Sequence, residues 1–263
     1  MTVRSLALVA ALAFTLVACS TPAPETACTV PETVPADNLL LWLRADCGTE
    51  TDSNGSITQW KSGVGSLSAT SLDASQQPRL VSDAHSGQPT IRFDGENDQL
   101  AVDLDIHPAA RPNLTVVAVF SSETAEGNPL RKLYGADDGD YDRTAGLDDR
   151  ALGGQNFVIF GGVVTGVIGY FRLDAGTSYL TVDSYAGAVF DGWTNGRATL
   201  SAAAVDHGQG PSTFFVGGTG TTFSEPWKGT IAEILVYGRG LSDPERIAVE
   251  DYLAGRYNLS LSR

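Results

Sequence analysis

The sequence predicts an all-β protein, an antiparallel sandwich with one short C-terminal helix. About a dozen short apolar runs are separated by clusters of Gly, Asn, Asp and Ser, and no helical pattern lies between them. This spacing favours strands joined by tight turns over alternating β-α-β units. The 29 glycines among 263 residues can supply the turns, and a charged fraction of 18% does not fit a coiled coil or a charge-rich disordered chain.

The predicted strands are the apolar runs of strand length that turn residues bound on both sides. They cover residues 39–44, 57–61, 90–94, 99–103, 114–121, 157–160, 167–173, 179–184, 198–205, 213–216 and 230–237. Trp42 and Trp60 lie within two of these runs, so we expect both indole rings to pack in the core.

Residues 241–258 predict the helix. The segment Ser242-Asp243-Pro244-Glu245 has the pattern of a capping box with proline in the first turn. Val249, Tyr252 and Leu253 then recur at helical spacing and share one face. One domain therefore covers residues 38–263.

The first 18 residues predict a lipoprotein signal peptide. The apolar run from Leu6 to Ala18 is too short to span a bilayer but matches the apolar region of a secretory signal. It ends in Leu16-Val17-Ala18-Cys19, which resembles a bacterial lipobox. We therefore expect cleavage before Cys19, a lipid on its thiol, and a lipid-anchored, extracytoplasmic protein of the bacterial cell envelope, in the outer membrane if the organism has one.

Residues 19–37 are rich in Pro, Thr and Glu and predict an extended tether. Cys28 lies in this segment, and Cys47 follows the first predicted strand. With Cys19 carrying lipid, these are the remaining thiols of an exported chain, and such thiols pair in oxidising compartments. We predict a Cys28–Cys47 disulfide.

Five segments of the chain, taken in order, resemble the segments of a known family. They are residues 38–45, 57–63, 77–81, 87–98 and 229–252. Together they resemble the bacterial LamG-like jelly-roll domains of the concanavalin A-like lectin/glucanase superfamily. The resemblance implies a jelly roll of two antiparallel sheets, binding of glycans or protein surfaces, and in several members calcium at the rim of the sandwich. The superfamily also contains glycan hydrolases, so the fold leaves the function open.

The sequence lacks the carboxylate pattern of the retaining glucanases that share this fold, Glu-x-Asp-x-Glu or Glu-x-Asp-x-x-Glu on one strand. The pairs Glu50-Thr51-Asp52 and Glu96-Asn97-Asp98 have no second glutamate, and we expect them to be solvated turn acids. Glu233 lies within a predicted strand, and in the resembling domains that position belongs to the framework; the resemblance therefore implies that Glu233 is a structural hydrogen-bond acceptor. His85, His107 and His207 show no metal-binding spacing and are expected in solvated loops. We therefore predict no catalytic residues and a protein that is not an enzyme.

An acidic segment between residues 137 and 149 contains six aspartates. Alternating carboxylates in a glycine-containing loop can converge on a hard cation. If calcium binds here, Asp138, Asp140 and Asp142 are the predicted ligands. A solvated acidic loop is the alternative.

Aromatic residues in turn-rich segments are the candidates for stacking on sugar rings. Trp193 lies between Asp191 and Asn195, and Tyr141 has a similar setting; Tyr134 and Trp227 share it. We predict glycan contact by Trp193, Asp191, Asn195 and Tyr141. Core packing is the open alternative for Trp193.

The formal net charge of −14 argues against a nucleic-acid partner, because phosphate binding needs clustered Lys and Arg. The predicted function is a surface-anchored lipoprotein whose lectin-like module binds glycans or cell-surface proteins without catalysis. The alternatives are a polysaccharide-acting hydrolase of the same fold, and a structural or adhesion protein that binds envelope proteins.

Overall fold

The computed structural model describes residues 28–137, 142–150, 154–160, 169–187, 189–203, 211–220 and 224–263. The strands in these ranges are β1 (Leu39–Arg44), β2 (Thr49–Thr51), β3 (Ile57–Lys61), β4 (Ser68–Thr70), β5 (Arg79–His85), β6 (Gln88–Asp94), β7 (Leu100–Val102), β8 (Asn113–Ser122), β9 (Arg131–Gly135), β10 (Thr144–Leu147), β11 (Phe157–Phe160), β12 (Gly169–Phe171), β13 (Ser178–Ala186), β14 (Val189–Thr194), β15 (Arg197–Ala203), β16 (Phe214–Val216) and β17 (Lys228–Tyr237). The helix is α1 (Asp243–Tyr257).

The strands form two antiparallel sheets. The eight-stranded sheet has the order β15-β14-β13-β8-β17-β6-β5, and β1 pairs with the second half of β17 on the side where β6 pairs with the first half. The nine-stranded sheet has the order β12-β11-β10-β9-β16-β7-β4-β3-β2. The predicted all-β class and the C-terminal helix are confirmed within the described ranges.

The main core lies between the two sheets, and β8 shows why its sequence is continuously apolar. Leu114, Val116, Ala118 and Phe120 face the opposite sheet, whereas Val117 and Val119 face α1. Alternate residues of a strand point to opposite faces, and both faces of this sheet are covered. The run LTVVAVF is therefore buried along its whole length.

The helix packs on the outer face of the eight-stranded sheet through Val249, Leu253 and Tyr257. A capping box between Ser242 and Glu245 begins it, as the sequence predicts.

Glu233 of β17 joins the helix to this sheet. Its Oε1 accepts a hydrogen bond from Trp42 Nε1 at 2.5 Å, and its Oε2 accepts one from the Tyr257 hydroxyl at 2.8 Å. Burial raises the pKa of the Glu233 carboxyl, although both hydrogen bonds oppose that effect. The expected role of Glu233 as a structural acceptor is confirmed.

The N-terminal segment lies against the domain from Cys28 onward. Cys28 and Cys47 form a disulfide with a Cα–Cα distance of 5.8 Å, and Val34 is 3% exposed. Residues 28–37, within the predicted tether, are therefore held to the β-sandwich by a covalent bond and an apolar contact. The predicted signal peptide and Cys19 lie outside the described residues.

Several local expectations are wrong for a common reason. Tyr134 and Trp227 are buried in the core, and His85 and His107 are buried too, not solvated. Their surrounding sequences contain Gly, Pro and polar residues that mimic loops, but segments distant in the sequence cover them. His85, for example, lies at the end of β5 and packs edge-on against Tyr257. His207 lies outside the described residues.

Among the described residues, no helix is long and apolar enough to cross a bilayer.

Replacing Glu233 with alanine is expected to lower the free energy of unfolding by about 3 kcal/mol, because two buried donors lose their acceptor. Urea denaturation checks this. The matched control is Glu50→Ala, which removes a glutamate ion-paired at the surface with Lys61 and should change the free energy by less than about 1 kcal/mol. Equal losses in the two variants would contradict the assigned role.

Candidate functional site

A group of buried charges lies on the outer face of the nine-stranded sheet, the face opposite the core. On β11, Phe157 and Ile159 belong to the core, so Val158 and Phe160 point outward. The ammonium group of Lys132, from β9, lies 4.3 Å from the centre of the Phe160 ring and therefore shares that outer face. The helix covers the other sheet and does not reach this surface.

Lys132 is 1% exposed, and its surroundings are acidic. Its Nζ is 3.9 Å from Asp148 Oδ2 and has no hydrogen-bond partner among the described residues. Burial lowers the pKa of Lys132, whereas Glu225, Asp148 and Asp137 raise it. We call Lys132, Asp137, Asp148, Arg150 and Glu225 the Lys132 cluster.

Asp148 is fully buried at the end of β10, and Arg150 holds it in place. Nε of Arg150 donates to Asp148 Oδ1 at 2.9 Å, and Nη2 donates to Oδ2 at 2.5 Å. Such a bidentate pair fixes the orientation of both groups. About half of the Arg150 side chain is exposed, so the cluster reaches solvent through this residue.

Glu225 reaches the cluster from the loop before β17. Its backbone is in the left-handed region, with φ of 43°, and its carbonyl oxygen accepts a hydrogen bond from the Lys132 amide at 2.8 Å. A non-glycine residue in this region is strained, and such strain is concentrated at functional sites. The loop is thus tied to β9 in a way that brings Glu225 to the outer face.

The Glu225 carboxyl is partly buried, and burial raises its pKa. Lys132 opposes this effect, while the carboxylates of Asp137 and Asp148 add to it. In the described part of the chain, no group hydrogen-bonds to Glu225 Oε2. The carboxyl therefore favours its protonated form more than an ordinary glutamate does.

A cavity of about 350 Å³ adjoins the cluster. Arg150 lines it together with Gly127, Asn128, Leu130 and Asp149. One of its walls is fixed by a hydrogen bond of 2.9 Å from the Gly127 amide to Asp149 Oδ1. The volume is within the range of small-ligand sites, which run from about 300 to 1,000 Å³.

The cluster combines a carboxyl whose pKa burial raises with a second, partly exposed carboxylate. Asp137 lies two residues after β9 and is half-buried, in contrast to the fully enclosed Asp148. Two carboxyl groups whose environments separate their pKa values can divide the work of an acid and a base. Glycosidic bond cleavage uses two carboxyl groups in these two roles.

Asp183 is another acid with a raised pKa, but it is inside the core. Its Oδ2 accepts a hydrogen bond of 2.5 Å from the Tyr134 hydroxyl, and burial raises its pKa to about 7. The side chain is 0% exposed between the sheets, so no substrate reaches it.

The structure does not bring the predicted glycan-contact residues to the Lys132 cluster. Trp193 lies in β14, half-buried under α1, with the Arg246 guanidinium 4.6 Å from its ring centre. Asp191 accepts a hydrogen bond from Ser201 at 2.6 Å, and Asn195 forms a hairpin turn in which its Oδ1 accepts one from the Leu180 amide. Their contact with glycan stays a prediction.

The predicted calcium ligands are only partly within the described residues. Asp142 is buried at 2% exposure, whereas Asp138, Asp140 and the proposed sugar-contacting Tyr141 lie outside the described ranges. Within those ranges, no three His, Cys, Asp or Glu side chains converge as metal ligands would. Calcium binding stays a prediction.

Sequence reasoning missed the Lys132 cluster because its acids come from three separate segments. A search for two glutamates on one strand finds only acids that share a strand, whereas Asp137, Asp148 and Glu225 follow β9, follow β10 and precede β17. The one available signal was Lys132 within the short strand RKLYG, because a lysine between apolar strand residues needs a buried partner.

The fold is similar to solved structures of carbohydrate-active enzymes. A Trypanosoma rangeli sialidase in complex with 2,3-difluoro-KDN has a TM-score of 0.58 at 16% identity, over 85% of this chain and 33% of that chain. The same sialidase with sialic acid has a TM-score of 0.58 at 16% identity, over 85% of this chain and 34% of that chain. A GH54 α-L-arabinofuranosidase variant soaked with 4-nitrophenyl α-L-arabinofuranoside has a TM-score of 0.55 at 13% identity, over 77% of this chain and 51% of that chain. No protein-family model and no curated protein matches the chain.

These neighbours correct one expectation drawn from the sequence. The chain was expected not to be an enzyme, and that expectation is wrong because the solved structures reported above as similar to it are of glycoside hydrolases. At these identities the similarity concerns the fold. The chain spans about a third of the sialidases' length and about half of the arabinofuranosidase's.

Lys132→Met is expected to lower the free energy of unfolding by about 3 kcal/mol, because it leaves Asp148 and Glu225 without their buried cation. Lys61→Met is the control, since Lys61 forms its ion pair with Glu50 at the surface and should cost less than about 1 kcal/mol. Thermal unfolding of both variants checks this. A Lys132 variant as stable as the Lys61 variant would show that the cluster does not hold the sheet surface together.

Proposed function

We propose that this protein hydrolyses glycosidic bonds of a polysaccharide at the Lys132 cluster. The observation that carries the proposal is Glu225, a partly buried carboxyl with a raised pKa that interacts electrostatically with Asp137 and Asp148. Its Oε2 has no hydrogen-bond partner among the described residues, and Arg150 of the same cluster lines a cavity. Glu225 is the proton donor, and Asp137 is the second carboxylate.

Glu225 gives its proton to the oxygen that links the two sugars, so that the leaving sugar departs as an alcohol. The positive charge that develops on the remaining sugar ring faces the Asp137 carboxylate, which either bonds to the ring carbon or activates a water molecule there. Lys132 does not contact substrate in this scheme. It is a positioning residue that holds the acids on one face.

The structural neighbours support glycan as the substrate class. The named ligands of those proteins are sugars or sugar derivatives, namely sialic acid and an α-L-arabinofuranoside. Because this chain spans only part of those proteins, the activity assigned to it rests on the Lys132 cluster and not on their names. Arg150, at the rim of the cavity, offers exposed donors to sugar hydroxyls.

The proposal includes a location and a finer family assignment. The five ordered segments support a LamG-like jelly-roll domain, and the lipobox-like end of the apolar run supports a lipid anchor at Cys19. An extracytoplasmic site is consistent with the Cys28–Cys47 disulfide, because disulfides persist in oxidising compartments. The proposal also keeps Asp138, Asp140 and Asp142 as the ligands of a calcium ion.

Glu225→Gln is expected to lower the rate of glycan hydrolysis about 100-fold or more, because the amide cannot donate the proton. Reducing-sugar release from a panel of polysaccharides, together with 4-nitrophenyl glycosides including the α-L-arabinofuranoside, measures this. Glu50→Gln, an isosteric change at the surface of β2, should keep full activity. Wild-type turnover no higher than that of Glu225→Gln on every substrate would overturn the proposal.

Cys19→Ala is expected to abolish lipidation when the full chain is expressed in a bacterium that processes lipoproteins. Mass spectrometry of the N-terminal peptide should find the lipid on the wild type alone, and globomycin should block cleavage of the wild type. The Cys28→Ala variant, which removes a different thiol, should still be lipidated. An unmodified wild-type Cys19 would contradict the anchor.

A further inference from the structure

A second cavity, of about 490 Å³, lies where the free edges of the two sheets meet. Its lining includes residues of β12, the last strand of the nine-stranded sheet, and of β15, the last strand of the eight-stranded sheet. Outer main-chain groups of an edge strand are not used in a ladder and can bind a ligand. None of the Lys132 cluster residues is among the described residues that line this cavity.

The floor of the cavity is rigid. The Tyr170 hydroxyl has one hydrogen to donate and two carbonyl acceptors in reach, that of Trp193 at 2.8 Å and that of Val182 at 3.1 Å. Gly192 makes room for this ring, because a Cβ there would lie 2.5 Å from Tyr170 Cε2. Phe171, the next residue of β12, packs in a stack with Phe157.

The charge of the cavity is opposite to that of the protein. Arg172 and Arg197 both line it, and no carboxylate is present among its described lining residues, although acids outnumber bases by 31 to 17 in the chain. The nearest ion pair of Arg172 is to Asp174 at 4.0 Å, with both side chains more than 70% exposed, so water screens it. In the described ranges, Arg197 forms no ion pair.

We propose that this cavity binds a carboxylate-bearing sugar, a uronate residue of an acidic glycan. A planar guanidinium matches a carboxylate with two parallel hydrogen bonds, and two guanidinium groups lining one cavity favour an anion over a neutral sugar. Gln155 and Thr199, which also line the cavity, offer the neutral donors and acceptors that sugar hydroxyls need. This site is separate from the Lys132 cluster, and the proposal does not depend on hydrolysis there.

Isothermal titration of the full chain with tri-galacturonate, and with its methyl ester, tests the proposal. The wild type should bind the acid, and the uncharged ester should bind about tenfold more weakly or worse, because charged hydrogen bonds are lost. The Arg172→Gln/Arg197→Gln double variant should lose about tenfold or more of its affinity for the acid. Arg92→Gln is the matched control: it removes one cation from an exposed ion pair with Glu123 and should leave the affinity unchanged.

Three results would overturn the proposal: no binding of tri-galacturonate to the wild type, equal binding of acid and ester, or a double variant that binds as tightly as Arg92→Gln. Both arginines are exposed, and thermal unfolding of the double variant should match that of the wild type. Because binding is measured directly, loss of the proposed hydrolytic activity would leave this result unchanged. The two proposals therefore fail separately.

Discussion

The carboxylate of Glu233 determines which face of the β-sandwich the helix covers. It accepts hydrogen bonds from Trp42 of β1 and Tyr257 of α1 while lying in β17, so three elements share one buried acceptor. An unpaired carboxylate at that depth would be costly, so the three elements are held together. The helix is thereby committed to the eight-stranded sheet, and the outer face of the nine-stranded sheet is left for loops and charges.

On the outer face of the nine-stranded sheet the protein buries charged groups whose removal from water lowers the stability of the fold. Placing Lys132 and Asp148 out of water carries a desolvation cost of several kcal/mol for each ion, which their attraction offsets only with good geometry. The Lys132–Asp148 pair lacks that good geometry. Its two charged groups are 3.9 Å apart, and Lys132 Nζ has no hydrogen-bond partner among the described residues. The poorly paired buried charges and the left-handed backbone of Glu225 both lower the stability of the fold at this surface. Such unfavourable features are concentrated at functional sites.

The sequence was informative where one physical effect dominates a contiguous segment. The run from Leu114 to Phe120 reads as a strand buried on both faces, and the capping box at Ser242 marks the start of the helix. Prediction from the sequence failed where contacts with strands distant in the chain determine whether a residue lies in a strand or a loop. Trp193 lies in a strand although Gly192 precedes it, because that glycine is required by the Tyr170 ring packed against it from another sheet.

The candidate site shows the same limit more strongly. Asp137, Asp148 and Glu225 are 11 to 88 residues apart in the chain, and no local pattern connects them. Only the pairing of β9 with β10, and the hydrogen bond between Lys132 and the Glu225 carbonyl oxygen, bring them to one surface. Disulfide pairing was easier to anticipate, because few cysteines leave few combinations.

The central claim is that a glutamate with a raised pKa donates a proton to a glycosidic oxygen. The rate of glycan hydrolysis as a function of pH tests it most directly, because the alkaline limb of the profile reports the ionisation of the proton donor. The account predicts an alkaline limb above the ordinary glutamate pKa of 4.5, the direction in which burial shifts Glu225. Absence of hydrolysis at every pH, or a limb at the ordinary value, would contradict it.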